Sequence, residues 1–157
     1  PAIEVGLSDI VFAPGETPLA STVGATDSGT GSCMLQPGTL FVAARDHVRR
    51  VRPTADGTLS ISLGLGLDGV PMCGANTSAH PSFPYPTGCY DRALHVRTTC
   101  DDVQTEVACA DDPALWWKTE EVTFPVVADT DYFVFVDGYH DDIYGSGKYT
   151  LRIELTP

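Results

Sequence analysis

The sequence is poor in positive charge: 9 Lys and Arg stand against 21 Asp and Glu in 157 residues, a formal net charge of −12. A surface of that sign repels phosphate backbones and anionic lipid, which argues against nucleic-acid partners and against adsorption to membranes. No apolar run approaches the ~20 residues that a membrane helix needs, so insertion into a bilayer is not expected. The five cysteines, Cys33, Cys73, Cys89, Cys100 and Cys109, form no C-x-x-C pair. The four histidines, His47, His80, His95 and His140, are dispersed, with neither H-x-H nor H-E-x-x-H spacing. Motifs for zinc or for thioredoxin-like chemistry are therefore missing. No G-x-S-x-G marks an activated serine, and no window shows a helical period with caps.

What is present is a globular composition, with 43% hydrophobic and 19% charged residues, at a length that suits a single domain over residues 1–157. The dominant period is two. Leu59, Ile61, Leu63 and Leu65 alternate with Thr58, Ser60, Ser62 and Gly64, as in a strand with one buried face. Tyr149, Leu151, Ile153 and Leu155 repeat the pattern near the C-terminus. Val122, Phe124 and Val126 do so around Pro125, whose missing N–H predicts an edge strand or a bulge. Residues 132–136 are apolar on both faces, which predicts a central strand covered on both sides. Residues 93–98 send Leu94 and Val96 one way and His95 and Arg97 the other. Arg49 and Arg50 break the alternation of residues 46–52, which predicts a bulge there.

Turn-forming clusters at residues 53–57, 128–131 and 145–147 punctuate these runs. Many short strands with such punctuation predict an all-β, two-sheet sandwich. Residues 1–35, rich in Gly, Thr, Ser and Pro, are expected to be loosely structured, with weak strands near residues 10–12 and 19–23. Residues 68–90, with Pro71, Pro81, Pro84 and Pro86, read as a long surface-loop insertion.

The order of these segments resembles the bacterial pre-peptidase C-terminal (PPC) domain family, as found in exported proteins of myxobacteria-like organisms. The resemblance rests on Arg45-Asp46-His47-Val48 leading into Pro53-Thr54-Ala55-Asp56-Gly57-Thr58-Leu59, then Leu94-His95-Val96-Arg97-Thr98-Thr99-Cys100. It continues through Glu106-Val107-Ala108-Cys109-Ala110-Asp111-Asp112 to Asp131-Tyr132-Phe133-Val134-Phe135-Val136-Asp137-Gly138-Tyr139 and Gly147-Lys148-Tyr149. It implies a jelly-roll-like β-sandwich, secreted or at the cell surface, appended to proteases or other surface proteins and in some cases calcium-bound. His140-Asp141-Asp142 and the loop bounded by Cys73 and Cys89 depart from the family pattern. The abrupt start at Pro1 reads as a mature product or an excised piece, so the lack of a leader does not argue for the cytosol.

Several residues are candidates for function. Calcium takes six to eight oxygen ligands, and clustered carboxylates are costly without a cation. Asp91, Asp111, Asp112 and Asp137 flank strands expected to reach one end of the sandwich, and they form the candidate calcium set. Trp116 and Trp117, adjacent and therefore opposed in a strand, are candidates for stacking on a sugar or a protein ligand. Disulfides suit an oxidising compartment; the expected pairs are Cys100–Cys109, closing a hairpin, and Cys73–Cys89, stapling the proline-rich loop, with Cys33 left over. The expected function is a non-catalytic accessory, binding or structural module. Its partners would be an extracellular protein or glycan, or other domains of a parent protein. A carbohydrate- or matrix-binding module, a subunit of a self-assembling surface structure and a small hydrolase are the alternatives.

Overall fold

A computed structural model of the chain describes residues 19–22, 29–34, 46–64, 92–111, 120–138 and 148–157. The strands are β1 (Leu19–Ser21), β2 (His47–Val51), β3 (Gly57–Gly64), β4 (Arg92–Arg97), β5 (Glu106–Ala110), β6 (Glu120–Val126), β7 (Tyr132–Gly138) and β8 (Lys148–Thr156). Short 3₁₀ turns occupy Ser32–Met34 and Val103–Thr105, and no α-helix occurs among the described residues. The strands form two antiparallel four-stranded sheets, in the orders β1-β8-β3-β6 and β2-β7-β4-β5. The chain changes sheet at most connections, so neighbours in sequence often face one another across the core, as in a jelly-roll-like sandwich.

The period-two pattern explains this packing directly. Leu59, Ile61 and Leu63 of β3 are fully buried, and their cross-strand partners Phe124, Val122, Leu155, Ile153 and Leu151 lie on the same face. Opposite them the second sheet contributes Val51, Leu94, Val96, Tyr132, Val134 and Val136. Burial of each such side chain is worth roughly 1.5–3 kcal/mol, and this shared face supplies most of the fold's cohesion. The outer face of the first sheet is polar, with Ser60 bonded to Thr123 (3.1 Å) and Arg152 paired with Glu154. β6, which carries Pro125, is the edge strand that the proline predicts; proline and the exposed Glu121 discourage further pairing at that edge.

The second sheet differs because its central strands, β7 and β4, are covered on both faces. β7 is central, as its two-sided apolarity predicts, and Phe135 on its outer side is fully buried. All six residues of β4 are buried, so His95 and Arg97 point outward from the core yet do not meet solvent. The bulge expected in β2 is not there: His47–Val51 pairs with β7 in unbroken register. Arg49 and Arg50 simply take opposite faces, because Arg49 finds a polar partner on the inner one. The register shift lies instead between Val96 and Arg97, where β4 meets β5.

The two ends of the sandwich are unlike. At one end the connections are short and tied down. Asp131 accepts two hydrogen bonds from Arg52 (2.7 and 2.9 Å), Asp56 accepts from the Ala128 amide (2.7 Å), and the Asp129 amide reaches the Pro53 carbonyl (2.9 Å). Asp129 adopts φ 59°, a left-handed conformation that aspartate tolerates better than most residues. In the β4–β5 turn, Asp102 caps the second 3₁₀ turn through the Gln104 amide (2.9 Å). The opposite end holds the starts of β2, β4, β6 and β8 and the finishes of β3, β5 and β7.

Candidate functional site

At this second end polar side chains enter the sandwich from both sheets. Alternation along β2 turns His47 and Arg49 inward, and alternation along β8 brings Tyr149 to meet them. The Tyr149 hydroxyl lies 3.0 Å from His47 Nδ1 and accepts from Arg49 Nε at 3.3 Å. The Arg49 guanidinium also sits 5.8 Å from the centre of the tyrosine ring. Burial pushes the Tyr149 hydroxyl above its ordinary pKa, and burial followed by the nearby Arg49 charge pushes His47 below its own. At neutral pH the trio is therefore a neutral imidazole and a neutral phenol beside one cation. Arg92 and Glu120, buried at the starts of β4 and β6, also lie at this end.

Of the candidate calcium ligands, two fall within the described residues and both are at this end. Asp137 pairs with Ala93 of β4, and Asp111 directly follows Ala110, the partner of Leu94. The two aspartates thus flank β4, about 10 Å apart at two strand spacings. Asp137 is buried and accepts from the Gly138 amide at 2.7 Å. Among the described residues no three His, Cys, Asp or Glu side chains stand close enough to hold a metal ion. Asp91, Asp112, Trp116 and Trp117 lie outside the described residues. So does the expected Cys73–Cys89 pair.

The Cys100–Cys109 pairing is incorrect. Cys109 bonds Cys33, 76 residues away in sequence, with Cα atoms 5.7 Å apart, and Cys100 is a free thiol. The reason is register: Cys109 stands level with His95, whereas Cys100 lies in the turn beyond Arg97. A disulfide needs Cα atoms within about 4.4–6.8 Å, which residues 29–34 satisfy by crossing the outer face of the second sheet. Burial, and then the Asp101 charge, pushes the Cys100 thiol above its ordinary pKa.

Residues 29–34 also explain why β4 is buried on both sides. Gly31 lies so close to the sheet that a Cβ would stand 2.8 Å from Cys109 Sγ and 2.9 Å from the His95 ring. Gly29, at φ 136°, lies over the Arg97 guanidinium. The Thr30 carbonyl accepts from Arg97 Nη2 at 3.0 Å, and Glu106 holds Ser32 through both its amide (3.0 Å) and its hydroxyl. Beneath the segment the His95 ring stacks on Phe135 (centroids 4.4 Å apart, 12° between planes), and Arg97 stands 4.6 Å from the same phenyl ring. Among the described residues neither ring nitrogen of His95 has a hydrogen-bond partner. Burial, reinforced by Arg97, lowers its pKa to about 3. Sequence reasoning missed this buried layer. The only local signal was Gly29-Thr30-Gly31, small residues that permit a close backbone approach.

No family model matches the chain, and no curated protein does. Among solved structures, the chain is similar to the pre-peptidase C-terminal domain of a collagenase from Bacillus anthracis, at 13% identity over 98% of this chain and 95% of that one (TM-score 0.45). It is also similar to a family 35 carbohydrate-binding module from Cellvibrio japonicus Abf62, at 10% identity over 91% of each chain (TM-score 0.41). A third likeness is to a family 35 carbohydrate-binding module from an environmental isolate, at 15% identity over 85% and 86% of the two chains (TM-score 0.38). Likenesses this distant assign neither family nor ligand.

Proposed function

We propose that the chain is a non-catalytic accessory or binding module of a secreted or cell-surface protein, with its ligand-facing region at the end where β2, β4, β6 and β8 begin. The asymmetry between the two ends carries this reading. The short β2–β3, β4–β5 and β6–β7 connections are tied down at one end, while the strand termini joined by residues 65–91, 112–119 and 139–147 all lie at the other. Loops gathered at one end of a rigid sandwich are the usual place for recognition. The Cys33–Cys109 bond supports an oxidising compartment. Described polar groups are held in structural contacts, as with His47 on Tyr149 and His95 on Phe135, which supports a binding rather than a catalytic role.

The same end is the proposed seat of calcium, with Asp111 and Asp137 flanking β4 and Asp91 and Asp112 completing an oxygen-only set. Extracellular calcium at about millimolar concentration fills even a site of 10⁻⁴–10⁻³ M. At tenfold excess over Kd it stabilises the fold by about 1.4 kcal/mol, a rise in Tm of a few degrees at this size. Melting in millimolar calcium and in excess chelator tests the site. The calcium-dependent part should vanish in Asp111→Asn with Asp112→Asn; identical melting of the unmodified protein in both buffers refutes calcium. The ligand class is tested with glycan and collagen-type matrix panels, read beside Trp116→Ala and Trp117→Ala. Turnover of an ester, peptide or glycoside, abolished by one point substitution, refutes the non-catalytic reading.

A further inference from the structure

Residues 29–34 are held to the sheet in an unusual way. Residues 29–33 are Gly-Thr-Gly-Ser-Cys and bring no large apolar side chain to the contact. Their polar ties include the Thr30 carbonyl to Arg97, the Ser32 amide and hydroxyl to Glu106, and the Cys33 amide to Cys109 Sγ (3.1 Å). Beneath them, His95 Nδ1, His95 Nε2 and Arg97 Nε are buried and have no hydrogen-bond partner among the described residues. Water would satisfy all three atoms on opening, so desolvation pushes against closure. The Cys33–Cys109 bond adds a covalent tie that opposes this cost.

We propose that residues 29–34 are a redox-released lid, which lifts from the second sheet when Cys33–Cys109 is reduced and exposes the strip formed by His95, Phe135 and Arg97. The reductant is a dithiol. Its two sulfurs form a disulfide while the Cys33–Cys109 bond breaks, two electrons pass to the protein, and two protons end on the Cys33 and Cys109 thiols. The rest of the fold does not depend on this bond, since the inner core of the two sheets lies on the other side of β4 and β7. Opening changes the surroundings of His95. Among the described residues, the charged and titratable groups on the covered side include Arg97 on β4, Asp137 on β7, Arg50 on β2, Asp46 ahead of β2, Glu106 at the start of β5, and Cys100 in the turn.

The test follows the His95 ring by NMR from pH 7 to 4.5, together with amide hydrogen exchange. In the oxidised protein the ring should stay neutral throughout. After addition of dithiothreitol its titration midpoint should rise by at least 1.5 pH units towards the ordinary histidine value. The Ser32 amide, bonded to Glu106 at 3.0 Å, should exchange at least tenfold faster, while β3, β7 and β8 keep their protection. Cys33→Ser with Cys109→Ser should reproduce the reduced state without reductant. Gly31→Val should lift the lid with the disulfide intact, because its side chain would meet Cys109 Sγ and the His95 ring. A His95 ring that stays silent in the reduced protein overturns the proposal. So does loss of protection across both sheets, on reduction or in the double serine variant, which would make the bond a staple for the whole fold.

Discussion

Replacing His95 by leucine should flatten the acid sensitivity of the fold between pH 7 and pH 5. In the folded chain His95 is fully buried with its pKa held near 3, against an ordinary 6.5. The unfolded chain therefore binds a proton as pH falls through 6.5, and the folded one does not. Unfolding takes up protons in this window, so stability falls with falling pH, by about 1.4 kcal/mol per unit once the unfolded histidine is fully charged. Integrated from pH 7 to pH 5, the loss is about 2 kcal/mol, or roughly 4–8 °C in Tm. Carboxylates with ordinary or lowered pKa values lose most of their contribution below this window. His47, also lowered, acts in the same direction and remains in the variant as background. Denaturant unfolding of the oxidised protein, followed by circular dichroism at pH 7, 6 and 5, measures the slope for both chains. The leucine side chain leaves no unpartnered ring nitrogens, so the variant should equal or exceed the original protein at pH 5. Equal pH slopes in the two proteins would refute the burial argument.

Other outcomes follow from the same contacts. Ile61→Ala, at a fully buried position of β3, should cost about 2–5 kcal/mol in equilibrium unfolding. Tyr149→Phe removes the hydroxyl shared by His47 and Arg49 and should cost about 1–3 kcal/mol; its His47 midpoint, read by NMR, checks that the ring has lost its partner. Peptide mapping without reduction should join Cys33 to Cys109. Cys100 in the folded protein should react more slowly with iodoacetamide at pH 7 than in the denatured chain, because its thiol is pushed up and partly shielded.

The inner faces were legible because one physical rule, the two-residue alternation of a half-buried strand, governs them. It placed Leu59, Ile61 and Leu63, and separately Val122 and Phe124, on buried strand faces, and it placed Tyr149 on the inner face of β8. Pro125 likewise announced an edge, since it cannot donate to a ladder on both sides. The outer layer of the second sheet was not legible. His95 and Arg97 look like the solvent side of an alternating strand, and only a segment more than sixty residues earlier makes them interior. The Cys33–Cys109 pairing failed to show for the same reason: sequence proximity favours Cys100, and register excludes it. Clustered acids were also ambiguous as a site. Asp102 caps a turn and Glu106 anchors Ser32, so these two acids, which lie near Asp111 in sequence, have structural roles. The common end of Asp111 and Asp137, by contrast, follows from strand directions that the order of segments already implied.

The last strand runs from the end where β2, β4 and β6 begin to the tied-down one, where Thr156 pairs with Thr58. A tether attached at Pro157 therefore pulls from the closed end and leaves the opposite end facing outward. On a sensor chip or a bead, C-terminal capture would present the Asp111 and Asp137 end to the analyte. Coupling through residues near that end would mask it, so the two geometries of immobilisation should differ in ligand capacity on the same protein.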